Sequence, residues 1–392
     1  MYLTSEEERI YEGEEGWAYQ TAMRILVKLG DLFEAKRLIP ITSAHISGVS
    51  YKTVGDAPIE FLEALFNAGA ESKVESTVNP AGFDLSYMKE FRLPQSFQEK
   101  QIRILKLYEG MRINPVLTCT PYYIKKPRPE THLAWAESSA VVYANSLLNA
   151  WTNREGGPSA LAAALIGKTP DYGLHRPENR KANVVVKVEA TPTNEAEFGA
   201  LGAFLGKVLK DKTPIIEGLP SNEEALLKQM GAAMASTGMT TIFYTSFPRS
   251  QEYERLETLS VERRELDEMI DSLSTTDEEP QLVFIGCPHC SFNELKKIAQ
   301  QIKNKKVKDG IKFWICTSRH IRRKARKYVN LIEAAGGKVI CDTCAVVTWL
   351  REMGVETIMT NSAKTAYYAP NLSKVDVRFA SLTDCIREAR AD

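Results

Sequence analysis

The sequence lacks the features that tie a chain to a membrane or a nucleic acid. Its longest near-apolar stretch, Ala160 to Ile166, falls far short of the roughly 20 residues that a membrane-spanning helix needs. It has no excess of charge of either sign: fifty Lys and Arg face fifty Asp and Glu. That balance removes the clustered basic surplus of a nucleic-acid binder. The first twenty residues lack the basic start and apolar middle of a signal peptide, and are acidic instead, with Glu6, Glu7, Glu8, Glu12, Glu14 and Glu15. No short-period repeat or low-complexity tract occurs. The expectation is a cytoplasmic protein with no membrane or nucleic-acid partner. Histidine is scarce, limited to His45, His132, His175, His289 and His320. The seven cysteines, at 119, 287, 290, 316, 341, 344 and 385, are odd in number and accompany no export signal. A disulfide framework is therefore a poor reading, and thiol or metal chemistry a better one.

What is present is a globular chain of 392 residues, 44% hydrophobic and 26% charged, enough for two or three domains. The clearest seam is Ser272 to Gln281, polar and acidic with a proline. After it, apolar runs at 282–285, 312–316, 338–341 and 357–359 alternate with helical patterns at 293–305, 322–335 and 345–353. Strands separated by helices of about ten residues require right-handed crossovers, so 276–392 reads as a parallel sheet covered by helices. A second α/β unit, 181–275, has strands at 184–188, 214–217 and 240–244, helices at 195–209 and 223–236, and a charged helix at 261–273. Residues 1–180 form a third α/β lobe, with helices at about 5–29, 58–68 and 95–108.

The densest chemical signal is cysteine placement in the C-terminal lobe. Gly286-Cys287-Pro288-His289-Cys290-Ser291 follows one strand and is expected to open a helix, and Cys341-Asp342-Thr343-Cys344 does the same two strands later. Ligands of open parallel sheets bind at the carboxyl ends of the strands, and a helix N-terminus favours a thiolate. Residue chemistry alone leaves three readings open. Buried, unpaired thiols suit Cys316 and Cys385. A structural zinc site would use both C-x2-C pairs, although about 50 residues separate them where a ribbon has 15–20. A thiol–disulfide oxidoreductase would use Cys287 and Cys290 and leave Cys341 and Cys344 idle.

A fourth reading uses more of the chain. The ordered segments 43–51 (SAHISGVSY), 118–122 (TCTPY), 145–146 (NS), 152–158 (TNREGGP), 286–289 (GCPH), 342–344 (DTC) and 362–364 (SAK) resemble the large subunit of the aconitase X family over nearly the whole length. The resemblance implies an aconitase-like α/β fold of three lobes around a central iron site. It assigns Cys119, Cys287 and Cys344 as ligands of an iron–sulfur cluster, [4Fe–4S] when intact and degraded or reduced to a single iron in some samples. Cys290 and Cys341 lie outside the family pattern. Three thiolates leave one iron without a protein ligand, free to act on substrate oxygen.

In length and form the chain resembles the archaeal members that dehydrate (R)-5-phosphomevalonate to trans-anhydromevalonate 5-phosphate, a step toward isoprenoids. The other activity of the family is dehydration of cis-3-hydroxyproline. The 47–50 segment, Ser47-Gly48-Val49-Ser50, has the chemistry of a phosphate-holding turn, with Gly48 allowing close backbone approach and Ser50 offering a hydroxyl. By composition it is equally an ordinary turn with a capping serine; the resemblance places Gly48, Val49 and Ser50 at the substrate. Asn79 and Pro80 are a plain turn by composition, and the resemblance makes them a second wall of the pocket. Lys364 follows the last of the four strands, where a point charge would meet a carboxylate or phosphate. His45, His289 and the 152–158 loop sit within the motifs with no role assigned. No residue stands out as the base that removes the proton. The resemblance implies that a separate small swivel-domain subunit supplies it.

Overall fold

A computed structural model of the chain describes residues 1–247 and 256–391. Strands β1 (Leu38–Pro40), β2 (Ser43–Ile46), β3 (Glu75–Val78), β4 (Ala134–Trp135) and β5 (Lys168–Pro170) occupy the N-terminal region. β2 is the middle of a parallel sheet of order β3-β2-β4, and β1 pairs with β5 antiparallel. Next come β6 (Val184–Val188), β7 (Pro214–Glu217) and β8 (Glu257–Val261), a parallel sheet of order β7-β6-β8. The C-terminal sheet holds β9 (Leu282–Cys290), β10 (Lys312–Thr317), β11 (Lys338–Ile340), β12 (Thr357–Thr360) and β13 (Asp376–Phe379), all parallel, in the order β11-β10-β9-β12-β13. The architecture is thus mixed α/β with several parallel sheets. No helix among the described residues is long and apolar enough to cross a membrane.

β9 shows why the C-terminal sheet forms. All nine of its residues are buried, the signature of a central parallel strand covered on both faces. Val283 and Ile285 enter a core with Leu295, Ile298, Val329 and Ile332 of the helices Phe292–Ile302 and Arg326–Ala334. Leu282 and Phe284 enter the opposite core with Ala366 and Ala369 of the helix Ala363–Leu372. The sheet order reverses direction between β9 and β12, the switch point beside which α/β sheets open a crevice.

Several elements differ from the expectations. The helix expected over 5–29 is two, Ser5–Glu12 and Trp17–Leu32, because Gly13 caps the first in the left-handed region at φ 96°. The strand expected at 240–244 shrinks to one bridge between Ile215 and Tyr244, since the Phe243 N–H leaves the ladder for Ser146 Oγ. The helix expected at 345–353 is a series of turns. Its β-branched run Val346-Val347-Thr348 disfavours helix, and the carbonyls of Val347 and Thr348 instead accept from Ser50 Oγ (2.8 Å) and Lys52 Nζ. Gly157-Pro158 opens the helix Gly157–Ile166, with proline in the first turn where its missing N–H costs nothing.

Candidate active site

The 286–290 motif does not open a helix. It is the end of β9, with a cis Cys287–Pro288 peptide, and the following helix starts only at the Ser291 cap, where Ser291 and Glu294 form a reciprocal capping box. Gly286 holds φ 110°, and a Cβ there would lie 2.3 Å from the Cys316 carbonyl oxygen, so only glycine lets β9 run this close to β10. Cys287 and Cys290 lie on the irregular end of β9, where its register with β10 shifts between Ile285 and Cys290. Cys287 packs in the core that contains Cys344, Cys290 in the core behind the sheet. The dithiol and zinc readings both need these two sulfurs together, and the strand separates them.

Cys119, Cys287 and Cys344 lie near enough to one another for their charges to interact. The three are buried, on the 118–122 segment, the end of β9 and the turn after β11. Cys344 hydrogen-bonds the Cys287 sulfur, which, with the Lys364 ammonium nearby, outweighs burial and brings the Cys287 thiol down to about 6. Burial pushes Cys119 up to about 12, and the charges of Glu137 and Cys287 add to the effect. The main-chain N–H of His289 donates to Cys119 Sγ at 3.2 Å.

The residue that sequence reasoning missed is Glu137. It follows β4 and caps the helix Ser138–Leu147, accepting from Ser139 N at 3.3 Å and Ser139 Oγ at 2.9 Å. Its other oxygen accepts from Asn79 Nδ2 at 2.6 Å. Lys364, from the first turn of the helix Ala363–Leu372, closes a buried ion pair with it and donates to Ser138 Oγ at 3.3 Å. Burial would raise the Glu137 carboxyl, but the Lys364 charge and these bonds bring it down to about 2. Burial works against the Lys364 ammonium too, yet Glu137, Cys287 and Cys119 together hold it charged, with its pKa raised. The signal available in the sequence was an acid immediately before Ser138-Ser139, a helix-start pattern, yet nothing local showed that it would be buried.

The remaining candidates border the same place. Gln101, fully buried, fixes the 48–50 turn: its Nε2 donates to the Val49 carbonyl at 2.9 Å, and its Oε1 accepts from Tyr51 N and Gly82 N, both at 3.0 Å. Gly48 is exposed, Val49 and Ser50 are buried, and the Ser50 hydroxyl is already donated to Val347. Asn79 and Pro80 lead to Ala81, whose N–H donates to the Asp342 carbonyl at 2.7 Å. Both segments therefore bond to the 342–347 stretch that carries Cys344. His45 bonds Thr77 Oγ1 through Nδ1 at 2.8 Å, and burial lowers it to about 4, a neutral ring beside Glu137 and Asn79. Its Nε2 and Asn79 Oδ1 are buried without a hydrogen-bond partner among the described residues. Of the 152–158 loop, Asn153 bonds Tyr172 O and Leu174 N, and Arg154 bonds Ala235 O, so these residues brace the scaffold.

A salt-bridged latch sits behind the Cys344 turn. Arg319 pairs with Asp342 and with Asp84, two carboxylates that are buried, while Asp84 Oδ2 accepts from Cys341 N at 2.7 Å and Asp342 Oδ2 from Leu85 N at 3.2 Å. Asp342 itself holds a left-handed φ of 64°, uncommon for a residue with a side chain.

The donor set tests what the site could hold. Three sulfurs from three separate elements, one poised as thiolate and a lysine ammonium close by, suit a soft, thiolate-ligated iron group. No set of three or more His, Cys, Asp and Glu among the described residues is arranged around one point as ligands of a single ion. A cluster requires no such point, because each of its cysteines takes a different iron.

Comparison with known proteins identifies the family. Models of the aconitase X first, second and third domains match residues 1–178, 182–271 and 280–391. The chain belongs to the aconitase X family. It is 44% identical to the phosphomevalonate dehydratase large subunit of Methanocaldococcus jannaschii, over 99% of this chain and 100% of that one. It is 31% identical to the cis-3-hydroxy-L-proline dehydratase of Pseudomonas aeruginosa, over 99% of this chain and 70% of that one. The crystal structure of Thermococcus kodakaraensis aconitase X in its holo form superposes with a TM-score of 0.93 at 43% identity, covering 99% of this chain and 100% of that one.

Proposed function

We propose that this chain is the large, catalytic subunit of a two-subunit hydro-lyase that removes water from (R)-5-phosphomevalonate to give trans-anhydromevalonate 5-phosphate. The observation that carries the proposal is the meeting of Cys119, Cys287 and Cys344 beside the buried Lys364–Glu137 pair, in a chain matched end to end by phosphomevalonate dehydratase large subunits. In this reading the three cysteines hold an iron–sulfur cluster, [4Fe–4S] when intact, and Gly48, Val49, Ser50, Asn79, Pro80 and Lys364 line the substrate. The lobes are 1–180, 181–275 and 276–392, and the protein works in the cytoplasm.

When bound, the cluster supplies a Lewis-acidic iron for the departing hydroxyl oxygen. The chain's own residues do the rest. The turn at Gly48 presents main-chain amides to the phosphate, and the Ser50 oxygen, its proton already given to Val347, keeps that turn in place. Lys364 offers a fixed positive charge to the substrate carboxylate. Glu137 keeps Lys364 charged and orients Asn79. A carboxylate held at about 2 is a weak base, so Glu137 in this state is poorly suited to remove the substrate proton. A small swivel-domain subunit supplies that base and closes the cavity against water.

The test is anaerobic co-expression with a candidate small subunit, metal analysis, and assay of both (R)-5-phosphomevalonate and cis-3-hydroxy-L-proline. Iron-dependent dehydration of the phosphorylated acid is the expected result. Turnover of hydroxyproline alone overturns the substrate, and iron retained by Cys119→Ser overturns the ligand set.

A further inference from the structure

His289 ties together the segments that carry Cys119, Cys287 and Cys344. It lies on the Cys287 strand; its main-chain N–H donates to Cys119 Sγ at 3.2 Å. Its ring Nε2 lies 2.9 Å from the Thr343 carbonyl oxygen, next to Cys344, and its Nδ1 lies 3.0 Å from Thr118 Oγ1, next to Cys119. Its own carbonyl accepts from Lys228 Nζ at 3.2 Å, a buried lysine on the helix Glu224–Thr237 that also pairs with Glu294 and lies 5.5 Å from the Tyr123 ring centroid. All four polar atoms of the residue are thus engaged, and the side chain is fully buried.

The partners also fix where the protons sit. A carbonyl oxygen only accepts, so Nε2 carries the hydrogen toward Thr343. In the neutral ring Nδ1 is then the acceptor, and the Thr118 hydroxyl donates to it. The Thr118 oxygen is left to accept from Thr120 N at 3.2 Å and from Thr120 Oγ1 at 3.0 Å. The chain Thr120–Thr118–His289–Thr343 has one consistent hydrogen order and touches no bulk water. An imidazole is well suited here: it is rigid, and it places a donor and an acceptor on opposite sides of one ring.

We propose that His289 is a positioning residue that ties the Cys119 and Cys344 segments to the Cys287 strand and sets the spacing of the three sulfurs for metal. This deepens the ligand assignment proposed above and rests on it. Side chains that orient metal ligands without touching the metal commonly change affinity by about ten- to a hundredfold when replaced.

The full-length chain, purified free of metal, is reconstituted anaerobically with ferrous iron and sulfide; sulfur-to-iron charge-transfer absorption reports thiolate coordination, and competition with a chelator reports the affinity for iron. His289→Leu keeps the volume and removes both ring bonds; the expected result is a shifted band and iron binding weakened about ten- to a hundredfold. His289→Gln keeps an N–H able to reach Thr343 and is expected to restore most of the band and affinity. Thr118→Val removes the hydroxyl facing Nδ1 from the other side, and is expected to shift the spectrum in the same direction should His289→Leu fail to fold. A wild-type spectrum and affinity in His289→Leu, or in Thr118→Val where the histidine variant is insoluble, overturns the proposal. The ligand assignment is checked separately: if Cys119→Ser, Cys287→Ser and Cys344→Ser all leave the iron spectrum unchanged, that assignment is wrong whatever His289 does.

Discussion

Lys364 and Glu137, 227 positions apart in the chain, form an ion pair with both side chains almost wholly out of water. The pair joins the helix after β12 to the helix after β4, and so ties the C-terminal sheet to the N-terminal one.

Removing one partner strands a buried charge, which typically costs about 3–5 kcal/mol. Glu137→Gln and Lys364→Met are each expected to lower unfolding free energy by about that amount in urea titrations. The double variant should recover much of the loss, because no charge is left alone. Additive losses in the double variant would show that the two do not act as a pair.

The thiols should differ in reactivity as their environments do. The Cys344 hydrogen bond and the Lys364 charge lower Cys287 and favour its thiolate, whereas burial pushes Cys119 up and favours its thiol. In metal-free protein at pH 7, iodoacetamide is expected to label Cys287 ahead of Cys119, read by peptide mass spectrometry. Bound metal should protect both.

Arg319 neutralises two buried carboxylates at once, Asp84 and Asp342. Arg319→Met is expected to cost about 3–5 kcal/mol and, on the proposed ligand set, to speed iron loss to a chelator by loosening the Cys344 turn. Arg319→Lys should rescue only part of this, since an ammonium cannot reproduce the planar fork that reaches both acids. Equal iron-loss rates in wild type and Arg319→Met would remove the latch from any part in holding the site.

Acid should destabilise the protein through its buried histidines before Glu137 is protonated. Burial lowers His45 and His289 to about 4 and His175 to about 3, from an ordinary 6.5. Between those values the three histidines bind more protons in the unfolded chain than in the folded one, partly offset by Asp342, raised by burial to about 6, so stability falls as pH drops from about 6.5 toward 4. Each group contributes up to about 1.4 kcal/mol per pH unit. Glu137 adds a later loss, between its ordinary 4.5 and about 2. Urea midpoints measured from pH 7 to 4 should decline steadily, and a flat profile over that range would contradict the burial of these rings.

The C-terminal sheet was legible because a strand covered on both faces must be apolar throughout, as Leu282-Val283-Phe284-Ile285 is, and because Ser291 and Glu294 announce the next helix. That strand's true end was not legible: β9 continues through Cys290 since Thr317 Oγ1 holds the Cys290 carbonyl at 2.6 Å, a contact with β10 that no local pattern encodes. Cys119, Cys287 and Cys344 could be placed by family resemblance, and their meeting needed the fold. Glu137 was invisible for a related reason. A lone acid before two serines reads as a solvated cap, and only the arrival of Lys364 from the far end makes its burial tolerable.

That order of arrival has a consequence on the ribosome. Glu137 emerges long before its counter-ion, so a nascent chain cannot seal the N-terminal region over that carboxylate until translation has passed residue 364. Until then an ionised Glu137 favours hydration over burial, and nascent chains arrested short of that point should leave it accessible to solvent.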